Sequence, residues 1–258
     1  AQKINADGLA LYKDIPYICG TAGTAPSALK DLADVRRVLN ANKAPVSPRY
    51  AVWDTAADAS LVTIPAIVNA EKSGSTQALR EGSLGRVMGL DNYMSQGIHQ
   101  HTTGITSASA VKVNGAVTAG ATTLAIDGTA LVGKLVKGDV LTIDGKNYVV
   151  TEDSAAAASN AITGVKVYPA LPDIKDNADV TLAGSHTANL GFHPSAFAFV
   201  TRPLVNPSGV ESYVTSYNGV SLRVVKGYNM QYKKETLSMD VLYGYKTMYP
   251  ELAVRAMG

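Results

Sequence analysis

Asn114-Gly115, Asp127-Gly128 and Asp144-Gly145 follow one another in the middle of the chain. Such dipeptides readily take the positive φ angles that two-residue hairpin turns demand. The segments beside them, VKVNGAVTA, TTLAIDG and VLTIDGKNYVV, are short and rich in β-branched residues. Further strand-like runs follow at AITGVKVYP and ADVTLAG, while the Ala-rich stretch 155–158 reads as a loop or short helical turn. Short strands with regular turn signals predict a small antiparallel barrel or sandwich over residues 105–185. Gly138, Asp139, Asp144 and Gly145 belong to its central hairpin unit, and Asp127, Asp139 and Asp144 read as turn formers, although paired carboxylates could do acid–base work.

The flanking segments have a different texture. Residues 7–13 read as the end of a helix that stops before Pro16. Ala28, Leu32, Val35 and Leu39 recur at helical spacing, with Thr24 or Ser27 as N-cap and Pro45 and Pro48 beyond the end. RYAVW predicts a short strand, Asp54 or Thr55 caps a helix through AADASLVT, and the polar, Gly-rich residues 71–86 read as an exposed loop. HPSAFAFVTRPL predicts a short helix starting at Pro194. Beyond it, Leu222, Val224, Tyr228, Met230 and Tyr232 share one strand face, and Leu237, Met239, Val241, Tyr243 and Tyr245 share a face of the next. Runs of about 14 residues at roughly 3.3 Å each would reach about 45 Å, which predicts a flat, elongated body with a compact unit inserted in one loop. The domain on either side should then continue as if the insert were absent, with Thr102 and His186 as neighbours at its surface.

Composition narrows the function. Of 258 residues 46% are hydrophobic and only 17% charged, against a usual share of about a quarter. Such a chain can build a core but has few charges to cover its surface, as expected if much of that surface meets other protein. A net charge of +2 argues against a dedicated nucleic-acid binder, which carries a basic patch or stripe. There is no apolar run long enough to span a membrane, and the opening stretch lacks a basic region followed by an apolar run. The single Cys19 cannot form an internal disulfide. His99 and His101 form an H-x-H pair that could face a metal, but no Cys, carboxylate or further His nearby in sequence completes a set. GTAGTAP lacks the Gly-Lys-Ser/Thr ending of a phosphate loop, and no G-x-S-x-G elbow is present. The thirteen tyrosines, several on the C-terminal strand faces, fit either core packing or contact with a neighbouring subunit, where Tyr is favoured.

Three quoted segments carry a resemblance. DLADVRRVLNANKAPVSPRYAVWDTAADASL and ALREGSLGRVMGLDNYMSQGI resemble successive parts of tailed-bacteriophage major capsid proteins. VSLRVVKGYNMQYKKETLSMDVLYGYKTMYPELAVRAM resembles their C-terminal strands, with Asp240, Tyr243 and Gly244 in DVLYG and Pro250 and Glu251 in PELAV. The insert with GDVLTIDGKNYVV is similar to the β-barrel insertion of the coat proteins of short-tailed enterobacterial phages. The resemblance implies an α+β fold shared with herpesvirus capsid floors: an N-terminal arm, an extended loop, a long spine helix, and peripheral and axial domains. Residues 1–25 would match only the end of the spine helix and a linker, so about a third of the expected chain lies outside this sequence. Residues 26–104 and 186–258 would form the two parts of the peripheral and axial domains, around the insert at 105–185.

The resemblance also implies a structural role with no catalytic residues, metal or cofactor. Copies would assemble into hexamers and pentamers of an icosahedral shell around double-stranded DNA, built in the host cytoplasm with a scaffolding protein and portal. The packaged DNA would be touched weakly and without sequence preference, a decoration protein could sit outside, and no membrane would be involved. Arg80, Glu81 and Arg86 become candidate contacts at the capsomer centre. The rival reading is a hydrolase or glycan-binding protein using the inserted barrel, whose aromatics are few beyond Tyr148 and Tyr168.

Overall fold

The computed structural model describes residues 2–69, 74, 76–217 and 219–258. Its helices are α1 (Gln2–Leu9), α2 (Leu29–Ala41), α3 (Thr55–Val62), α4 (Pro65–Val68) and α5 (Gln77–Glu81), with short 3-10 turns at Ala10–Asp14, Pro194–Ala196 and Pro250–Leu252. The strands of the first part are β1 (Ile18–Gly20), β2 (Tyr50–Trp53), β3 (Arg86–Val87), β4 (Leu90–Met94), β5 (Gln100–His101), β6 (Ile105–Val113), β7 (Thr123–Gly133), β8 (Val140–Ile143), β9 (Lys146–Val150), β10 (Ala161–Tyr168), β11 (Val180–Leu182) and β12 (His186–Phe192). Then come β13 (Phe197–Arg202), β14 (Glu211–Tyr217), β15 (Val220–Asn229), β16 (Lys234–Asp240), β17 (Leu242–Thr247) and β18 (Ala253–Met257). Ala1–Ala196 with Thr247–Gly258 form one unit and Phe197–Lys246 a second.

The first unit holds a mixed sheet ordered β1-β18-β12-β2-β4-β3, with β5 also paired to β12. The helical spacing of Leu32, Val35 and Leu39 buries that side of α2 in a core with Ala51, Trp53, Leu61, Leu90 and Val254. Neither Thr24 nor Ser27 caps this helix. The N-cap is Ala28, and the Asp31 carboxylate instead accepts the backbone N–H groups of Ser27 and Ala28 at 2.8 and 2.9 Å. Asp54 does cap α3, accepting from Ala56 and Ala57. The polar loop expected over 71–86 needs correction where it can be followed: residues 71–73 and 75 lie outside the described residues, but Gln77–Glu81 is helical and Ala78 and Leu84 are buried.

The second feature of this unit is a six-stranded antiparallel sheet, ordered β11-β8-β9-β10-β7-β6, that curls almost to closure. Its ends meet where the Val113 N–H donates to the Ala178 carbonyl at 2.9 Å and Lys112 bridges to Asp179. The interior is filled by Val113, Leu124, Ile126, Leu141, Tyr148 and Val165 among others. Every buried member of this cluster lies between Val111 and Val180, apart from the body's own core. Asp144 and Gly145 have φ of 48° and 72° between the paired residues Ile143 and Lys146, a two-residue turn of the mirror-image kind that suits strand twist. Gly115 likewise has φ 89°. Asp127-Gly128, by contrast, is no turn. It lies inside β7, where Asp127 pairs with both Lys112 and Ala161, and a Cβ on Gly128 would meet the Ser109 carbonyl at 3.1 Å. The pair serves close backbone approach at a bulged crossing.

In the second unit β14, β15 and β16 form an antiparallel sheet, and β13 pairs with β17. The expected uninterrupted runs of about 14 residues do not form. The Asn229 side chain accepts the N–H groups of Gln231 and Tyr232, Lys233 takes φ 50°, and the chain reverses into β16. Val241 separates β16 from β17. The helix expected from Pro194 is a single 3-10 turn ending at Ala196, after which β13 begins. Among the described residues no helix is long and apolar enough to cross a membrane.

Candidate functional site

Two arrangements stand out, one in each unit. The first lies where the chain leaves the body sheet for the barrel and returns. His101 in β5 is paired with His186 in β12, and the Thr103 N–H donates to Ser185 Oγ at 3.1 Å. Around this crossing Tyr12, His101, Asp139, His186 and Arg255 are all nearly sealed from solvent, so His186 is buried and not at the surface as expected. Asp139 Oδ1 lies 2.8 Å from His101 Nε2, and Oδ2 accepts the Val136 N–H at 2.8 Å. The Tyr12 hydroxyl is 3.1 Å from His101 Nδ1. A carboxylate can only accept, so His101 donates from Nε2 to Asp139, and its Nδ1 accepts the hydrogen bond that the Tyr12 hydroxyl donates. His186 Nδ1 faces the Gly184 carbonyl at 2.7 Å, which puts its proton on Nδ1 and leaves Nε2 as an acceptor toward Arg255 Nη1 at 3.4 Å. Each imidazole therefore has one consistent neutral tautomer.

Arg255 draws three segments together. Its Nη1 donates to the Gly138 carbonyl of the barrel at 2.8 Å, and its Nη2 to the carbonyls of Tyr12 and Ile15. Burial lowers its pKa to about 10, so it stays charged at neutral pH, balanced by Asp139. Burial also pulls His186 down to about 4, with Arg255 acting in the same direction and the Gly184 bond against it. Gly138 sits at φ 100°, and a Cβ there would come within 3.0 Å of the Lys13 side chain and 3.3 Å of His101. Farther out, Lys137 pairs with Asp14 at 2.9 Å, and the Tyr168 hydroxyl donates to Glu251 at 2.9 Å. Burial and this carboxylate push Tyr168 to about 12.

A Tyr–His–Asp relay suggests acid–base chemistry, but a general base must be within reach of a substrate proton. Tyr12, His101 and Asp139 are 2–3% exposed, so a substrate proton is out of their reach, and the cluster clamps the barrel to the body. Sequence reasoning put Asp139 among turn formers and missed it as a buried acid. Its partner His101 was visible in the H-x-H pair, but the two are 38 residues apart and only the fold joins them. His99 is turned instead to the Ala6 carbonyl at 2.8 Å. Among the described residues no group of His, Cys, Asp and Glu could hold a metal.

The second arrangement is the β14-β15-β16 sheet. Its register sets Tyr213, Val224 and Met239 in one row, Thr215 beside Leu222, Lys226 beside Leu237, and Tyr217 beside Val220. Side chains two apart share a face, so Tyr213, Tyr217, Tyr228, Leu237 and Met239 all project on one side, and each is 60–79% exposed. The opposite side carries Ser221 bonded to Ser216, and Arg223 gripping Asp240. The large side chains thus crowd the more exposed face, with the Lys226–Glu235 ion pair among them, while Val214 and Val225 lie on the other, partly covered face. Phe199, Tyr243 and Tyr245 form a separate ring cluster in this unit, and Gly244 lies exposed in β17. Arg80 and Glu81 end the exposed face of α5, and Arg86 opens β3 beside Asp91 at 3.8 Å. Pro250 and Glu251 form the 3-10 turn before β18.

No family model matches the chain, nor does any curated protein. Among solved structures, one titled Mycobacterium phage Che8 is 14% identical with a TM-score of 0.48, covering 99% of this chain and 58% of its own. Another, "Capsid structure of the Cyanophage P-SCSP1u", is 12% identical with a TM-score of 0.46, covering 99% and 60%. The chain spans about three fifths of the length of these solved chains. Likenesses this loose establish neither its family nor its activity.

Proposed function

We propose that the chain is a structural subunit of a tailed-phage head, working through contacts between copies and without a catalytic centre. The observation that carries this is the row of large side chains on the exposed face of the β14-β15-β16 sheet. Five large side chains at 60–79% exposure on one face offer on the order of 500–700 Å² of apolar surface, near the roughly 800 Å² that each partner gives to a standard interface. Monomeric proteins rarely leave so large a patch bare. The quoted segment resemblances point the same way, and both solved structures come from phages. On this reading copies form the hexamers and pentamers of an icosahedral shell around double-stranded DNA, in the host cytoplasm, with a scaffolding protein, a portal and an outer decoration protein as partners. Arg80, Glu81 and Arg86 would serve capsomer contacts. A net charge of +2 suits weak, salt-screened contact with the packaged phosphates. Nothing favours a ligand-binding barrel, since its interior is filled with side chains.

Light scattering and electron microscopy of the purified chain test this. Capsomers or larger regular particles are expected, and the double variant Tyr213→Ser, Met239→Ser should release monomers whose stability differs by less than about 0.5 kcal/mol, as exposed sites allow. A wild-type chain that stays monomeric at high concentration would overturn the reading.

A further inference from the structure

His186 is held between an acceptor and a cation. Its Nδ1–H donates to Gly184, and its Nε2 lone pair faces Arg255 at 3.4 Å. Arg255 in turn links β18 to Gly138 at the mouth of the barrel. We propose that His186 is an acid-operated catch on the barrel. A proton taken from solvent at Nε2 turns the acceptor facing Arg255 into a donor and sets two cations side by side in a sealed pocket. The Arg255–Gly138 link and the His101–His186 strand pair then open together, while both hydrophobic cores stay folded.

The groups around the catch leave no other outlet for the charge. From the 3-10 segment come Tyr12, Lys13 and Asp14. Lys13 lies 6.0 Å from the Tyr12 ring, and Asp14 is engaged by Lys137 and by the Thr247 hydroxyl. From the segment leading into β5 comes His99, bonded to Ala6, and from β5 His101. From the loop before β8 come Lys137 and Asp139, whose two oxygens are already taken by His101 and the Val136 N–H. From β18 comes Arg255. Asp139 is near enough to favour a charged His186, but burial, Arg255 and His101 outweigh it.

The direction with pH follows. An opened His186 binds its proton near the ordinary 6.5, whereas the closed one resists until about 4. The closed form therefore loses ground as pH falls from the first value toward the second, and the catch is shut at neutral pH.

Hydrogen exchange of the full chain at pH 7 and pH 4, corrected for intrinsic rates, tests this. Residues 136–140 and 185–188 should exchange at least about tenfold faster at pH 4, with α2 and β9 still protected, the mark of local opening. His186→Asn should abolish the acceleration and His193→Asn should leave it. Junction protection that persists to pH 4, an unchanged response in His186→Asn, or loss only together with α2 and β9 would each overturn the proposal. Should His186→Asn fail to fold, NMR titration of wild-type His186 decides: its midpoint must coincide with that of junction opening, and a separate midpoint rejects the catch.

Discussion

Two glycines at the barrel show how one conformational need can have different consequences. Gly145 has φ 72° with no atom within 4 Å of where a Cβ would lie. Valine there meets no neighbour, so its cost is backbone strain alone, on the order of 1–2 kcal/mol. Gly138 has φ 100° and in addition a Lys13 side chain at 3.0 and 3.2 Å and His101 at 3.3 Å. Alanine at Gly138 should therefore lower stability more than alanine at Gly145, because it adds crowding at the clamp to the same strain. Paired denaturant titrations of the two alanine variants check the order, and equal midpoints would contradict it. The clamp also accounts for most of the cost of a fully buried arginine: three carbonyls and the charges of Asp139 and Asp14 stand in for the water it gives up, while its Nε is left without a partner.

At the scale of elements, the barrel has its own core, its strands pair only among themselves apart from the crossing, and its turns are local. We infer that residues 105–185 fold without the rest. The separate fragment should give a cooperative melt, and a fragment without one would reject the inference. Its legibility in the sequence had the same origin. Asp144-Gly145 announces a turn because positive φ is a property of the dipeptide itself. Asp127-Gly128 carries the same letters, yet pairing on both sides by Lys112 and Ala161 holds it in a strand, and a dipeptide cannot report its distant partners. The helical stripe of α2 was legible because burial follows a local period. The alternation in β15 and β16 was legible too, but not its outward direction, since period two marks a face without saying what covers it. The clamp was the least legible, its members standing at positions 12, 101, 139, 186 and 255 with no motif to join them.

For the molecule as a whole, the first unit holds two separate hydrophobic cores and the second exposes its apolar sheet. A chain so arranged completes its burial by association, which is the sense in which sparse charge and abundant apolar residues agree with the proposed role. The strand pair His101–His186 has a further consequence, for the rate at which the chain finds its native state. The body sheet joins β12 to β2 and β5, but 84 residues, 102–185, separate the paired histidines. Closing a flexible loop of that length costs about 4 kcal/mol beyond a constant. A barrel that has already formed holds its two ends together and leaves a much shorter effective loop. If the barrel folds first, as inferred above, the inserted unit acts as a tether during refolding, and weakening it should slow closure of the body sheet. Stopped-flow fluorescence of Trp53, buried in the body core, measures this directly: Gly145→Val should lengthen the Trp53 refolding time, and an unaltered time would show that the sheet closes before the barrel does.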